Sequence, residues 1–348
     1  MKKNIQNPFI KGLEEKYKNE VFNWCRMEQD TGNGYVSIDN LNPNTTFMKK
    51  LILYKREEFL DNPYIKNIKI SRIVGDNFIL SRGRILPRNC VEKFNEASFD
   101  SKTMTFNHPF YYCENNLHFP VILEKSDNNC WMSVEPFEIN SFNKIVQEAY
   151  GNVLLLGLGL GYLPYMLSIK DNVNSITVIE IDDEIIRIFK ENILPQFEYK
   201  EKIKIVKDNG INYLKSSDLN LYDYVNLDIW KATSDMLPYY LQALNVETKH
   251  PNVKFSYWLE QELKCELQRA IIRAAIKQPI GSDFDEMASH ILKTSYMFER
   301  TKFASIMELN NFREIMHRFY LEHQSTYDNA ADNLASQYVK KYKITSIN

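Results

Sequence analysis

The sequence predicts an α/β fold organised on a doubly wound, mostly parallel sheet, with an α+β region before it and a helical region after it. Three observations carry this. Glycine is scarce, 11 in 348 residues, yet three of the eleven fall between Gly157 and Gly161. That cluster follows a continuous apolar run, Val153 to Leu156, of the kind expected of a parallel strand covered on both faces, and it precedes helix-like spacing. Downstream, strand-like and helix-like segments keep alternating, which argues for parallel strands joined by right-handed crossovers.

Taken in order, residues 1–120 mix a helical opening, LEEKYKNEVFNWCRMEQ, with β-like segments such as NIKISRIV and NFILSRGRIL. FPVILEKSDNNCWMSV follows and reads as a hairpin around Ser126 to Asn129. Asn62-Pro63-Tyr64 reads as a turn. The whole is expected to form a lid or substrate region. Residues 121–260 hold the alternating core. After the glycines, SITVIEI is a strand, and DDEIIRIFKENI is a helix whose opening acids suit its positive end. KIKIV, YDYVNLDIW and VKFSYWLE are further strands, separated by the helical INYLKSS and LPYYLQAL. Residues 261–348 have helical spacing broken at Pro279 and Gly281, and are expected to cap the molecule. Within FSYWLEQELKCELQRAIIRAAIK, glutamates interleave with Lys264, Arg269, Arg273 and Lys277, as in a salt-bridged amphipathic helix.

Composition excludes several classes. Apolar residues make up 44% and charged residues 25%, as in an ordinary globular protein. With 43 Lys+Arg against 45 Asp+Glu the formal charge is -2, so no whole-molecule field draws nucleic acid or an anionic surface. The five cysteines are widely spaced and never arranged as Cys-x-x-Cys, which suits a reducing compartment better than a disulfide framework or a zinc ribbon. The N-terminus lacks an apolar leader core, and the apolar stretch Val153 to Leu167 is short for a bilayer and interrupted. A cytoplasmic protein without an anchor is expected. His317 and His323 lack metal-ligand spacing, and no metal site is expected. The serine-hydrolase elbow and the phosphate loop are absent.

Function is expected at the C-terminal ends of the strands, where open α/β sheets bind ligands. Gly157, Gly159 and Gly161 end the first, Glu180 lies in the second, Asp208 follows the third and Asp228 follows the fourth. Glycines permit close backbone approach, and an acid about 20 residues on can grip ribose hydroxyls; Glu180 is nineteen after Gly161. The dinucleotide fingerprint wants glycine or alanine where this chain has Tyr162, so a nicotinamide cofactor is disfavoured. Tyr162 and Trp230 could stack on adenine or substrate, although aromatics at strand ends usually pack.

VLLLGLGLG, VIEID, IVKDNG and YDYVNLD resemble the class I S-adenosylmethionine (SAM)-dependent methyltransferase superfamily, and most closely its spermidine-synthase-like branch. The resemblance spans roughly residues 130–260 and implies a Rossmann-like SAM-binding domain. It implies that Gly157, Gly159 and Gly161 line the cofactor, that Glu180 accepts both ribose hydroxyls, that Asp208 accepts from the adenine amino group and that Asn209 flanks the ring. Asp228 would face the reacting centre as the catalytic residue. The family's aminopropyltransferases continue from that acid with Asp-Ser-(Ser/Thr)-Asp-Pro, whereas this chain reads Asp228-Ile229-Trp230-Lys231-Ala232, without a second acid. The amino-methylating motif (Asp/Asn/Ser)-Pro-Pro-(Tyr/Phe/Trp) is also missing, and sixth and seventh strands are not evident after Glu260.

The expectation is therefore a SAM-dependent methyltransferase with a small-molecule or macromolecular acceptor that the sequence does not identify. The alternatives are an aminopropyltransferase using decarboxylated SAM and a non-catalytic nucleoside-binding scaffold. Neither a membrane nor nucleic acid is an indicated partner, and a homodimer is compatible with the sequence.

Overall fold

Apolar runs separated by glycine and acidic turns set five strands side by side. In the computed structural model, which describes residues 7–17, 36–37, 51–92, 98–107, 109–230, 233–293 and 299–344, these are β1 (Gly151–Leu156), β2 (Val173–Glu180), β3 (Ile203–Lys207), β4 (Tyr224–Leu227) and β5 (Lys254–Tyr257). All neighbours run parallel, in the order β3-β2-β1-β4-β5. The apolar run Val153 to Leu156 lies in the central strand and is essentially inaccessible to solvent, as a strand covered on both faces must be. The order turns back between β1 and β4, the place where such sheets open a crevice at their carboxyl ends.

Strand ends differ slightly from expectation. YDYVNLDIW is strand only to Leu227, because its last pairing is with Leu156 on one side and Tyr257 on the other. Asp228 keeps one bond to β1, its N–H donating to the Leu156 carbonyl, Ile229 and Trp230 lie beyond the strand, and Lys231 and Ala232 lie outside the described residues. After β5 the described residues hold helices and no further strand.

The parallel character is confined to this sheet. Among the described residues antiparallel strands outnumber parallel ones, since the region before β1 is linked by hairpins and short turns. Cys130–Ser133, Leu117–Glu124, Phe78–Ile85 and Ile73–Val74 form one such sheet. The expected hairpin closes over residues 125–129, with Asn128 at φ 59°.

By internal contacts the chain divides into two interleaved units, residues 53–87, 113–260 and 313–348 in one, residues 1–52, 88–112 and 261–312 in the other. These differ from the blocks 1–120, 121–260 and 261–348. Phe78–Ile85 and Leu117–Glu124 pair with each other across the sequence, and the C-terminal block is split at Phe312. The unit without the parallel sheet is led by the helices Pro8–Tyr17, Asp283–Lys293 and Arg300–Glu308 and most of Glu260–Ala275. Arg269 pairs there with Glu262 and Glu266, as the interleaved charges predict, and Arg273 pairs with Asp285. Cys90, Cys113 and Cys265 are buried free thiols, and Cys25 lies outside the described residues. No helix among the described residues is long and apolar enough to cross a membrane.

Candidate functional site

The site lies in the unit of the parallel sheet and grows from the ends of its strands. β1 runs into Gly157, Gly159 and Gly161, all with positive φ (102°, 51° and 73°), and the last caps the helix Tyr162–Ser168. This chain's own packing requires all three. A Cβ on Gly157 would lie 2.0 Å from the Asp228 carbonyl oxygen, one on Gly159 2.4 Å from Met132 Sδ, and one on Gly161 2.1 Å from the Phe189 ring. The glycines thus let neighbouring strands, a thioether and a ring close around the bend, and a ligand would meet the bend from a side other than these.

Glu180 ends β2 and is buried. Its carboxylate accepts from Leu158 N in the glycine bend (3.1 Å) and from Asp182 N (2.9 Å), which locks strand end to bend. Burial pushes the Glu180 carboxyl up from the ordinary carboxylate range to about 7, and the backbone donors only partly offset this. Asp182, the expected helix-opening acid, caps the helix Asp183–Ile188 by accepting from Glu184 N and Ile185 N.

Asp228 follows β4 directly, its N–H still donating to the Leu156 carbonyl of β1 (2.9 Å); its side chain is half-buried, and its carboxyl is raised by burial and then by the charge of Glu180. The sequence reading missed its neighbour. Glu138, in the first turn of the helix Pro136–Glu148, is 8% exposed and raised well above the usual carboxylate range by burial, then by Asp228 and Glu135. The only sequence signal was an acid in a helix's first turn, which ordinarily stays in solvent against the helix dipole. For Glu138, Glu180, Asp182 and Asp228 the dominant influences are burial, backbone N–H groups and other acids, not a lysine or arginine. Such a set suits a ligand that brings its own positive charge.

Asp208 and Asn209 sit one strand further out. Asp208 N donates to the Glu180 backbone carbonyl (3.1 Å), and the Asp208 carboxylate accepts from Asn209 N (2.7 Å). The Asn209 side chain is engaged as a helix cap, accepting from Ile211 N and Asn212 N ahead of the helix Gly210–Ser216. Of the residues expected at the site, the structure brings together the glycine bend, Glu180 and Asp228, and sets Asp208 and Asn209 beside them.

Aromatic side chains flank the glycine bend and the end of β4. Tyr162 is buried, accepts from Asn62 Nδ2 (3.1 Å) and meets the Tyr64 ring edge-on. Asn62-Pro63-Tyr64 is a helix start, not a bare turn: Asn62 caps Pro63–Asn67, and the Tyr64 hydroxyl donates to the Leu160 carbonyl (2.5 Å). Trp230 is buried, and its indole N–H has no acceptor.

The glycine bend, the acid ending β2 and the acid beyond β4 thus share one sheet edge. Residues 138–273 match the family model of the spermine/spermidine synthase domain. The likeness to the spermidine-synthase-like branch of the SAM-dependent class I fold therefore holds over this segment, which begins at Glu138 and takes in all five parallel strands. A SAM-related transferase class is what the match supports. Similar solved structures include a spermidine synthase from Thermotoga maritima (16% identity, 46% of this chain and 60% of that one, TM-score 0.29). A putative O-methyltransferase from Klebsiella pneumoniae is 18% identical over 32% of this chain and 51% of that one, TM-score 0.25. A spermidine synthase in complex with the transition state analogue AdoDATO is 13% identical over 52% and 68%, TM-score 0.29. The chain spans 60% and 51% of the lengths of the first two, and such TM-scores locate no residue here. No curated protein sequence matches the chain.

Proposed function

We propose that the unit holding the parallel sheet is a SAM-related transferase that alkylates an amine. Aminopropyl transfer from decarboxylated SAM is the reaction it fits best. The observation that carries this is the second buried acid: the Glu138 carboxyl is raised by burial and then by the charge of Asp228, while Asp228 is raised by burial and then by Glu180, with no basic side chain dominating either. The sequence argued against aminopropyl transfer because no second acid follows Asp228; Glu138 offers one from another element.

The residues suit such a cofactor by charge. SAM carries a sulfonium, an ammonium and a carboxylate, and the decarboxylated form lacks the carboxylate that this acidic site would repel. Glu180 would accept the ribose hydroxyls, each carboxylate oxygen keeping acceptor capacity beyond its backbone donor. Asp208 would accept from the adenine amino group. The bound sulfonium would supply an activated carbon: as the acceptor nitrogen bonds to it, the C–S bond would break and the sulfur leave as a neutral thioether with the electron pair, so the protein's part is alignment. Asp228 and Glu138 hold the acceptor nitrogen, and Asp228, raised toward neutrality, takes the proton it loses more readily than an exposed aspartate would. Methyl transfer from SAM to an amine is the second reading, kept because the match reaches a class in which both reactions occur.

Calorimetry with SAM and decarboxylated SAM on wild type, Glu138→Gln and Glu180→Ala tests this. The expected result is at least about tenfold tighter binding of the decarboxylated form, roughly 1.4 kcal/mol, and loss of both in Glu180→Ala. A preference for SAM returns methyl transfer to first place, and binding of neither removes the transferase reading.

A further inference from the structure

Asp228 and Glu138 come from different elements, and one residue is bonded to both of those elements. Trp258 follows β5 directly, and its backbone N–H donates to the carbonyl of Leu227, the residue immediately before Asp228 (3.0 Å). Its indole N–H donates to Ser141 Oγ (2.8 Å), and the Ser141 hydroxyl donates to the Glu138 carbonyl (2.6 Å). The main chain of Trp258 thus holds the end of β4, and its side chain holds the first turn of the helix Pro136–Glu148.

The link is buried and its polar groups are satisfied. Trp258, Ser141 and Phe142 are all shielded from solvent. The indole can only donate, and the serine hydroxyl accepts that bond while giving its own proton to the helix. Glu138, Ser141 and Phe142 are three and four residues apart, so they share one face of the helix. On that face the Phe142 ring stacks on Trp258 (centroids 6.2 Å apart, planes at 18°) and tilts against Tyr162 (5.9 Å). The chain then turns through Leu259 at φ 58°, a left-handed conformation that a residue with a β-carbon avoids unless its surroundings hold it. A helix that rotated or slid against the sheet would break the indole bond and the ring stack together. After burial, the groups that bear on the Glu138 carboxyl are Asp228 at the end of β4 and Glu135 at the start of its own helix, and Glu138 in turn acts on the Tyr162 phenol. None of these is basic, so the separation between carboxyls governs how readily Glu138 ionises.

We propose that Trp258 is a positioning residue, which sets the separation of the Glu138 and Asp228 carboxyls by bonding the end of β4 to the helix that carries Glu138. The inference deepens the transferase reading, since this pair is the one given to the acceptor nitrogen. The glycine bend and Glu180, assigned to the cofactor, are joined to each other by bonds that do not pass through Trp258.

The test uses the full chain. Carboxyl titrations are followed by carboxyl-carbon NMR in wild type, Trp258→Phe and Ser141→Ala, with Glu138→Gln identifying the Glu138 signal. Trp258→Phe keeps a ring against Phe142 but removes the donor, and Ser141→Ala removes the bridge but keeps the indole, so the two break one link from opposite sides. The expected result is a Glu138 titration at least about half a pH unit lower in both variants, because a loosened helix lets the carboxyl move away from Asp228 and toward water. A merely structural role would lower stability to urea and leave that titration in place. Should Trp258→Phe fail to fold, Ser141→Ala carries the same test, and an unmoved titration in either folded variant overturns the positioning role. Calorimetry with decarboxylated SAM on wild type and Ser141→Ala keeps the two readings apart, with affinities expected to agree within about twofold. Binding weakened more than about tenfold in Ser141→Ala would mean that the link supports the cofactor pocket and not the acid pair, and overturns the proposal. Binding to neither protein removes the transferase reading, while a shifted Glu138 titration still upholds the link.

Discussion

Gly157 shows how one residue couples the fold to the site. Its φ of 102° is costly for any side chain, and a Cβ there would press on the Asp228 carbonyl at 2.0 Å. Gly157→Ala should therefore destabilise the protein by roughly 1–3 kcal/mol from backbone strain alone and displace Asp228. Urea denaturation should register the first effect and loss of nucleoside binding the second. Gly210 opens its helix with ordinary contacts of 3.4 Å and beyond, so Gly210→Ala is the control and should change stability little. Equal behaviour of the two variants would contradict the packing role. Glu138 teaches the opposite lesson. Its sequence neighbours mark only a helix's first turn, and its importance comes from burial beside Asp228, which no local pattern encodes.

Among the elements, the C-terminal helix Phe312–Tyr342 depends on Arg313. Its guanidinium meets Glu260 through Nε (2.7 Å) and Nη2 (2.8 Å) and Glu247 through Nη1 (2.6 Å), while Tyr240 and Tyr257 donate to the same two carboxylates. Arg313→Met would leave two partly buried acids without their cation. Because the arginine side chain is 38% exposed, solvent screening lowers the cost to about 1–3 kcal/mol. Chemical denaturation should show this loss, with smaller damage from Arg313→Lys; a neutral effect of Arg313→Met would mean that the helix is held by its apolar face alone. This network joins β5, the helix Thr233–Glu247 and the C-terminal helix. The alternation of β and α segments was legible from residue spacing alone. The reach of the last helix to Asp182, whose Oδ2 accepts from the Tyr338 hydroxyl (3.4 Å), was not, because amphipathic spacing says that a face is buried but not against what.

At the scale of the whole molecule, raised acids set the pH response. Glu180 is raised from its ordinary value of 4.5 to about 7, so its contribution to stability is complete below about pH 4 and is lost as pH rises through 7. The loss is on the order of 3 kcal/mol from the size of that shift. The ligand-free protein should lose stability between pH 5 and 8, and Glu180→Gln should flatten the decline when unfolding free energies are compared across that range. Parallel declines in the two proteins would refute the assignment. A cationic ligand needs these groups ionised, so its binding should strengthen over the same range and release protons.

Strand, glycine bend and helix in succession, with acids at intervals that meet the strand ends, were determined by the sequence itself, because hydrophobic period and backbone freedom are local properties. Only the tertiary structure decided which acids meet. Glu138 from the helix before β1, Asp228 from the end of β4 and Tyr338 from the last helix are brought into play by packing across long separations in the chain, and burial then alters their chemistry.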